Sequence, residues 1–205
     1  METKLAAAYW GPRMESAVEC ARRASAFVED LSNLSEFFRG WRLPARSRAE
    51  ATRNQPFSSD VSSLEALFLK GTNRRDIDGE LIEELGFRIS AWNGMGGEET
   101  SSLAMKCGMY SNVPGVSNAI VLKIPAKFDV DSDGTAELVV DLLVRAWNPD
   151  WAVVASQASM IERADKEGPF LDRALYLSSP FKCMGSVFTG AKQSPLNDGV
   201  ILVPQ

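Results

Sequence analysis

The chain has 205 residues, 45% of them hydrophobic and 24% charged, with a formal net charge of −5. This composition is typical of a soluble globular protein, and the length predicts a single domain over residues 1–205. The absence of histidine excludes Ser-His-Asp triads, Cys-His dyads and histidine general bases. The excess of carboxylates argues against direct nucleic-acid binding. No apolar run approaches the roughly 20 residues that cross a bilayer.

The first half of the chain predicts a strand followed by helices. A short strand-like run comes first, and apolar residues then recur every three to four positions. The predicted elements are a strand at 3–10, a helix at 14–31, a short helix or turn at 34–41, a long surface connection at 42–60 and a helix at 61–69. We expect Ser62 or Ser63 to cap the last helix, because a side-chain oxygen there accepts from free backbone N–H groups.

The second half predicts mainly strands. A short acidic helix ends at Gly86, and three alternating segments then indicate an antiparallel meander. The predicted elements are strands at 87–92, 101–109, 119–124, 151–156, 174–177 and 199–203, with a strong helix at 137–147. The sequence therefore predicts an α+β fold, with N-terminal helices packed on a largely antiparallel sheet and one further helix near 137–147.

Residues 129–134 read DVDSDG, which is the first half of an EF-hand calcium loop. The twelfth position of such a loop is a bidentate glutamate, but here it is Val140. A strand-like segment broken by Pro125 also occupies the place of the preceding helix. We therefore predict a turn in which Asp133 or Thr135 caps the next helix, and we expect no metal and no cofactor.

Two acidic segments are candidates for contact with a basic protein partner. Residues 129–150 hold six carboxylates against one arginine. The other segment follows Trp92, which is out of phase with the apolar positions of its strand and is a candidate interface anchor. The predicted partner-binding residues are Trp92, Asn93, Glu98, Glu99, Asp129, Asp131 and Asp133.

Several segments together resemble the bacterial immunity protein 52 family. They are YWGPRMES at 9–16 with Cys20-Ala21 after it, GTNRRDI at 71–77, EELGFRISAWNG at 83–94, CG-x-Y at 107–110, and Asn118 with the strand that follows. The resemblance covers roughly residues 5–125. It implies an α+β antitoxin that is not an enzyme. Such proteins are encoded beside polymorphic toxins, often ones delivered by type VI secretion, and the toxin usually carries a restriction-endonuclease-like nuclease domain.

We therefore expect a cytoplasmic bacterial protein that binds and neutralises a cognate nuclease toxin, without contacting nucleic acid or a membrane. An acidic inhibitor suits such a toxin, because the phosphate-binding face of a nuclease is usually positive. Two alternatives stay open: a metal-dependent enzyme that works with carboxylates, and a generic protein-binding adaptor. The sequence leaves open the substrate of the toxin, the mode of inhibition and the oligomeric state.

Overall fold

The computed structural model describes residues 2–45, 47, 50, 53–163, 166 and 168–205. Within these residues the strands are β1 (Lys4–Trp10), β2 (Phe87–Trp92), β3 (Ser102–Cys107), β4 (Asn118–Ile124), β5 (Trp151–Ser156), β6 (Ala174–Leu177), β7 (Lys192–Leu196) and β8 (Gly199–Val203). They form one sheet in the order β2-β3-β4-β1-β5-β6-β8-β7. Every neighbouring pair is antiparallel, and the meander of β2, β3 and β4 is confirmed.

Four α-helices connect the strands in the described part of the chain. They are α1 (Ala17–Leu34), α2 (Val61–Lys70), α3 (Thr135–Trp147) and α4 (Gln157–Glu162), with 3₁₀ turns at Glu36–Phe38, Glu83–Leu85, Gly97–Glu99 and Ser179–Val187. The α+β class is therefore confirmed. None of the helices described combines the length and hydrophobicity that a bilayer crossing requires.

The predictions missed β7 and the elements between 157 and 187. Strand β7 reads KQSPL, which lacks alternating apolar residues and contains Pro195. Proline is tolerated there because β7 is an edge strand, where a missing N–H breaks no ladder. The predicted connection at 42–60 includes residues 46, 48, 49, 51 and 52, which lie outside the described residues.

Both predicted helix caps were wrong. The side chain of Asp60 caps α2, since its carboxylate accepts from the N–H of Ser63 at 2.9 Å. The N-cap of helix α3 is Gly134, which has a φ of +74°. No side chain among the described residues therefore caps the start of this helix. Nearby, the hydroxyl of Ser132 binds the carbonyl oxygen of Asp129 at 2.7 Å. In the DVDSDG turn the side chain of Ser132 therefore makes the local hydrogen bond, and the aspartate carboxylates do not cap the helix.

The main core lies between one face of the sheet and helices α1, α2 and α3. Its largest buried side chain is Trp147 at the end of α3, which stacks on Trp10 of β1 with ring centroids 5.7 Å apart. The opposite face is covered only in part. There Phe181 and Phe188 pack on β5, β6 and β8, whereas Ser90 and Ala104 on β2 and β3 are exposed.

Candidate partner-binding site

The two predicted acidic segments lie together at one end of the sheet. We call this region the acidic end, defined by Glu98, Glu99, Asp129, Asp131 and Asp133. The connection is made by Lys127, whose backbone N–H donates to the carbonyl oxygen of Glu98 at 3.1 Å. Its ammonium group also lies 2.7 Å from the Glu99 carboxylate. The fold therefore places the end of β4 directly against the turn that joins β2 to β3.

Three of these carboxylates make no ion pair within the described residues, and the other two, Glu99 and Asp131, are used in ion pairs within the protein. Glu98, Asp129 and Asp133 face solvent. Glu99 pairs with Lys127, and its hydrogen bond is the main cause that raises the pKa of the lysine. Glu98, Asp129 and Asp133 are thus the exposed carboxylates, unpaired in the described part of the chain, that a basic partner would meet first.

Asp131 is held by an ion-pair network that joins distant parts of the chain. Its carboxylate contacts Lys4, and Arg173 Nε lies 3.2 Å from Asp131 Oδ1. The hydrogen bond from Lys4, assisted by Arg173, lowers the pKa of Asp131. Arg173 also contacts Asp172. Burial by itself would raise the pKa of Asp172, but the hydrogen bond from the N–H of Ser156 and the contact with Arg173 outweigh it, so the pKa is lowered. Asp131 is therefore partly neutralised by its neighbours.

Arg173→Gln is expected to lower the free energy of unfolding by about 1 kcal/mol at neutral pH, because solvent screens these partly exposed pairs. The pKa values of Asp131 and Asp172 are lowered in the folded protein. The two carboxylates therefore contribute fully to the free energy of unfolding above the ordinary Asp pKa, near 3.9. That contribution is lost as the pH falls through their lowered pKa values in the folded protein. Urea unfolding at neutral pH and at about pH 2.5 measures the effect, which should shrink in acid.

The matched control for this prediction is Arg145→Gln. Arg145 makes an exposed ion pair with Asp141 one helical turn away, so its loss should cost no more than about 0.5 kcal/mol. An effect of Arg173→Gln that is the same size at both pH values would contradict a role through the two carboxylates.

Trp92 and Asn93 occupy different environments from the exposed carboxylates. Trp92 is half-buried and lines a shallow cleft of about 370 Å³ with Pro44, Met95 and Thr100. Asn93 is only 4% exposed. Its amide nitrogen donates to the carbonyl oxygens of Phe37 and Glu99, and its Oδ1 accepts two backbone N–H groups. Asn93 therefore positions the turn beside the cleft, and its side-chain polar atoms are already bonded within the protein.

The segments that carry the family resemblance meet at the opposite end of the sheet. Asn118 at the start of β4 is fully buried there and joins two of them. Its amide nitrogen donates to the carbonyl oxygens of Gly11 at 2.8 Å and Met109 at 3.0 Å, and its Oδ1 accepts from the N–H of Met109. These bonds satisfy backbone groups that are shielded from water. The resemblance thus rests partly on residues that fix the fold.

Two glycines in these segments are required by close backbone contacts. Gly86 has a φ of +62°, and a Cβ there would lie 2.4 Å from the carbonyl oxygen of Cys107. A Cβ on Gly71 would lie 2.0 Å from the carbonyl oxygen of Arg88. A side chain at either position would force neighbouring backbone segments apart, because these neighbours are backbone atoms.

A buried ionic cluster lies at this end, and sequence reasoning missed it. The side chain of Glu15 is 7% exposed and lies 2.6 Å from Arg23 Nε and 3.1 Å from Arg13 Nε. Arg13 donates to the last carbonyl of α3 at 2.8 Å, and Arg23 donates to the carbonyl before it at 3.0 Å. The arginines suit the negative end of the helix dipole. No local signal predicted the cluster, because α3 lies more than 100 residues away in sequence.

The described residues contain no group of three or more Cys, Asp and Glu side chains arranged to hold a metal ion. The carboxylates at the acidic end are either exposed or paired with lysine and arginine, which suits contact with a protein. In architecture the chain is an α+β protein with its three longest helices on one face of an antiparallel sheet.

Comparison with known families identifies the group. A family model described as Immunity protein 52 matches residues 2–202, and the chain belongs to that family. Its family is thus one of immunity proteins. The match extends well beyond residues 5–125, where the sequence resemblance was found.

Among solved structures, the fold is similar to that of a type VI secretion protein. It is described as "Pseudomonas aeruginosa T6SS protein PA0821", with a TM-score of 0.55 and 10% sequence identity. The match covers 98% of this chain and 64% of that chain, so this chain spans less than two thirds of the other protein. At this identity the likeness concerns the fold alone. The comparison with curated proteins found no match.

Proposed function

We propose that this protein binds and neutralises a cognate nuclease toxin that is delivered by a bacterial secretion system of the type VI kind. The observation that carries the proposal is the family match over residues 2–202. The description of the similar structure as a T6SS protein supports the link to secretion. In this proposal the protein acts in the cytoplasm by tight binding, without catalysis, a cofactor or contact with nucleic acid.

The acidic end supplies the physical reason for a nuclease as the target. A nuclease binds phosphates, so its substrate face carries positive potential. Glu98, Asp129 and Asp133 offer that face exposed negative charge, and they are not part of the ion pairs that hold Glu99 and Asp131. An inhibitor with this charge associates quickly and competes with nucleic acid for the same surface. Trp92 lies beside the group as a candidate anchor.

The direct test is a nuclease protection assay with the toxin that is encoded beside this gene. Purified protein should abolish cleavage at about equimolar amounts, because immunity complexes of this kind require a Kd of about 1 nM or tighter. Plasmid DNA and structured RNA should be tested in parallel, so that the substrate of the toxin is identified in the same experiment. Full toxin activity in the presence of about a tenfold excess of this protein would overturn the proposal.

A further inference from the structure

Exposed large hydrophobic side chains gather at the end of the sheet opposite the acidic end. Met14 is 72% exposed and Leu69 is 55% exposed, and both line the same groove as the exposed Leu81. Ile77 is 97% exposed in the adjoining hairpin, whose two arms are joined by an antiparallel backbone bridge between Arg74 and Leu81. A soluble protein rarely places so many large apolar side chains together on its surface unless the surface binds something.

Ring packing and a backbone hydrogen bond hold part of the groove lining in place. The groove has a volume of about 510 Å³, and Phe87 and Tyr110 contribute to its lining. Phe87 is fixed by edge-to-face packing on Phe68, with ring centroids 6.2 Å apart. The backbone N–H of Tyr110 donates to the carbonyl oxygen of Glu84 at 3.0 Å. A preformed groove of this size holds one or two apolar side chains with little loss of conformational freedom.

The rim of the groove is acidic. Glu19 and Glu83 line it, and Glu84 is exposed beside them. Hydrogen bonds from the backbone N–H and the hydroxyl of Ser16 lower the pKa of Glu19, so this carboxylate stays ionised at neutral pH. The groove therefore combines an apolar interior with negative charge at its edge. Such a surface matches an apolar side chain that has lysine or arginine next to it.

We propose that this groove is a docking site for a segment of the toxin in which one or two apolar side chains are flanked by lysine or arginine. The inference rests on the proposed function and adds a second contact surface to it. The two ends of β1 are about 20 Å apart at 3.4 Å per residue, so a partner with an ordinary interface can contact both ends. The acidic end then governs the association rate, and the groove governs the dissociation rate.

The test compares two pairs of substitutions at equally exposed positions. Met14→Gln with Leu69→Gln changes the groove, whereas Ile161→Gln with Val187→Gln changes apolar residues elsewhere that are 66% and 72% exposed. Binding kinetics with the immobilised toxin should show that the groove pair raises the dissociation rate by about tenfold or more. The control pair should leave both rates unchanged. Thermal unfolding should match wild type for both pairs, because all four side chains are on the surface.

The outcomes separate this inference from the proposed function. If the wild type inhibits the toxin and neither pair changes the dissociation rate, the groove is not a docking site and the proposed function stands. If the wild type does not bind the toxin, both fail together. Sedimentation of this protein alone provides a further check. A dimer that the groove pair abolishes would show that a second copy occupies the groove, which would overturn the choice of a toxin segment.

Discussion

Glu15→Ala is expected to lower the free energy of unfolding by about 2–4 kcal/mol. Removing one member of a buried ionic cluster leaves the others without compensation, which typically costs about 3–5 kcal/mol. The expected loss is slightly smaller here, because the side chains of Arg13 and Arg23 are 27% and 34% exposed and keep some contact with water. Both arginines also bind the end of α3. Loss of Glu15 therefore loosens the contact of α1 with α3 as well.

Urea unfolding followed by circular dichroism measures this change, and the midpoint should fall without a change in slope. The control is Glu29→Ala, which removes an exposed carboxylate from helix α1 and should cost less than about 0.5 kcal/mol. The isosteric Glu15→Gln keeps a hydrogen-bond acceptor and should be intermediate. A loss below about 1 kcal/mol for Glu15→Ala would show that the cluster contributes little to stability.

Neutralising the exposed carboxylates of the acidic end is expected to slow association with the toxin by about 10- to 100-fold at low salt. The triple variant Glu98→Gln, Asp129→Asn and Asp133→Asn removes three negative charges and leaves the ion pairs of Glu99 and Asp131 intact. The reason is electrostatic: in the proposed complex these carboxylates would attract a positive nuclease face over distances that salt limits to about 10 Å at 0.1 M. The difference from wild type should therefore shrink as the salt concentration rises.

A second triple variant separates local charge from net charge. Glu29→Gln, Glu65→Gln and Glu162→Gln remove the same number of carboxylates from helices α1, α2 and α4. If both triple variants slow association equally, only the net charge matters and the acidic end is not a specific contact. If only the acidic-end variant slows association, Glu98, Asp129 and Asp133 are supported as contact residues, and the other predicted contacts stay predictions.

The segments that resemble the family contain both residues that hold the fold together and residues that line the surface groove. Asn118, Gly86 and Gly71 belong to the segments that resemble the family, and each has a role in holding backbone segments together. Met14 and Glu83 belong to the same segments but line the surface groove. A segment can therefore identify the family through its fold-forming residues and still carry contact residues beside them.

Much of the fold was predictable because it depends on local periodicity. Alternation over 87–92 and 119–124 gave strands, and three- to four-residue spacing over 137–147 gave a helix close to the observed Thr135–Trp147. The strand at Lys192–Leu196 was missed because it lies at an edge and has few apolar residues. The predicted cap of α2 was wrong because Asp60, which precedes Ser62 and Ser63, occupies the N-cap position in their place.

The sequence by itself determined the class of fold, the exclusion of histidine chemistry and the family. These follow from composition, periodicity and short motifs, which depend on residues near one another along the chain. Only the tertiary structure decided which carboxylates are paired or buried. Asp131 meets Lys4 from 127 positions away, and Glu15 is buried beneath the end of α3. Such contacts arise from strand pairing and helix packing, and these bring together charges whose partners no local pattern specifies.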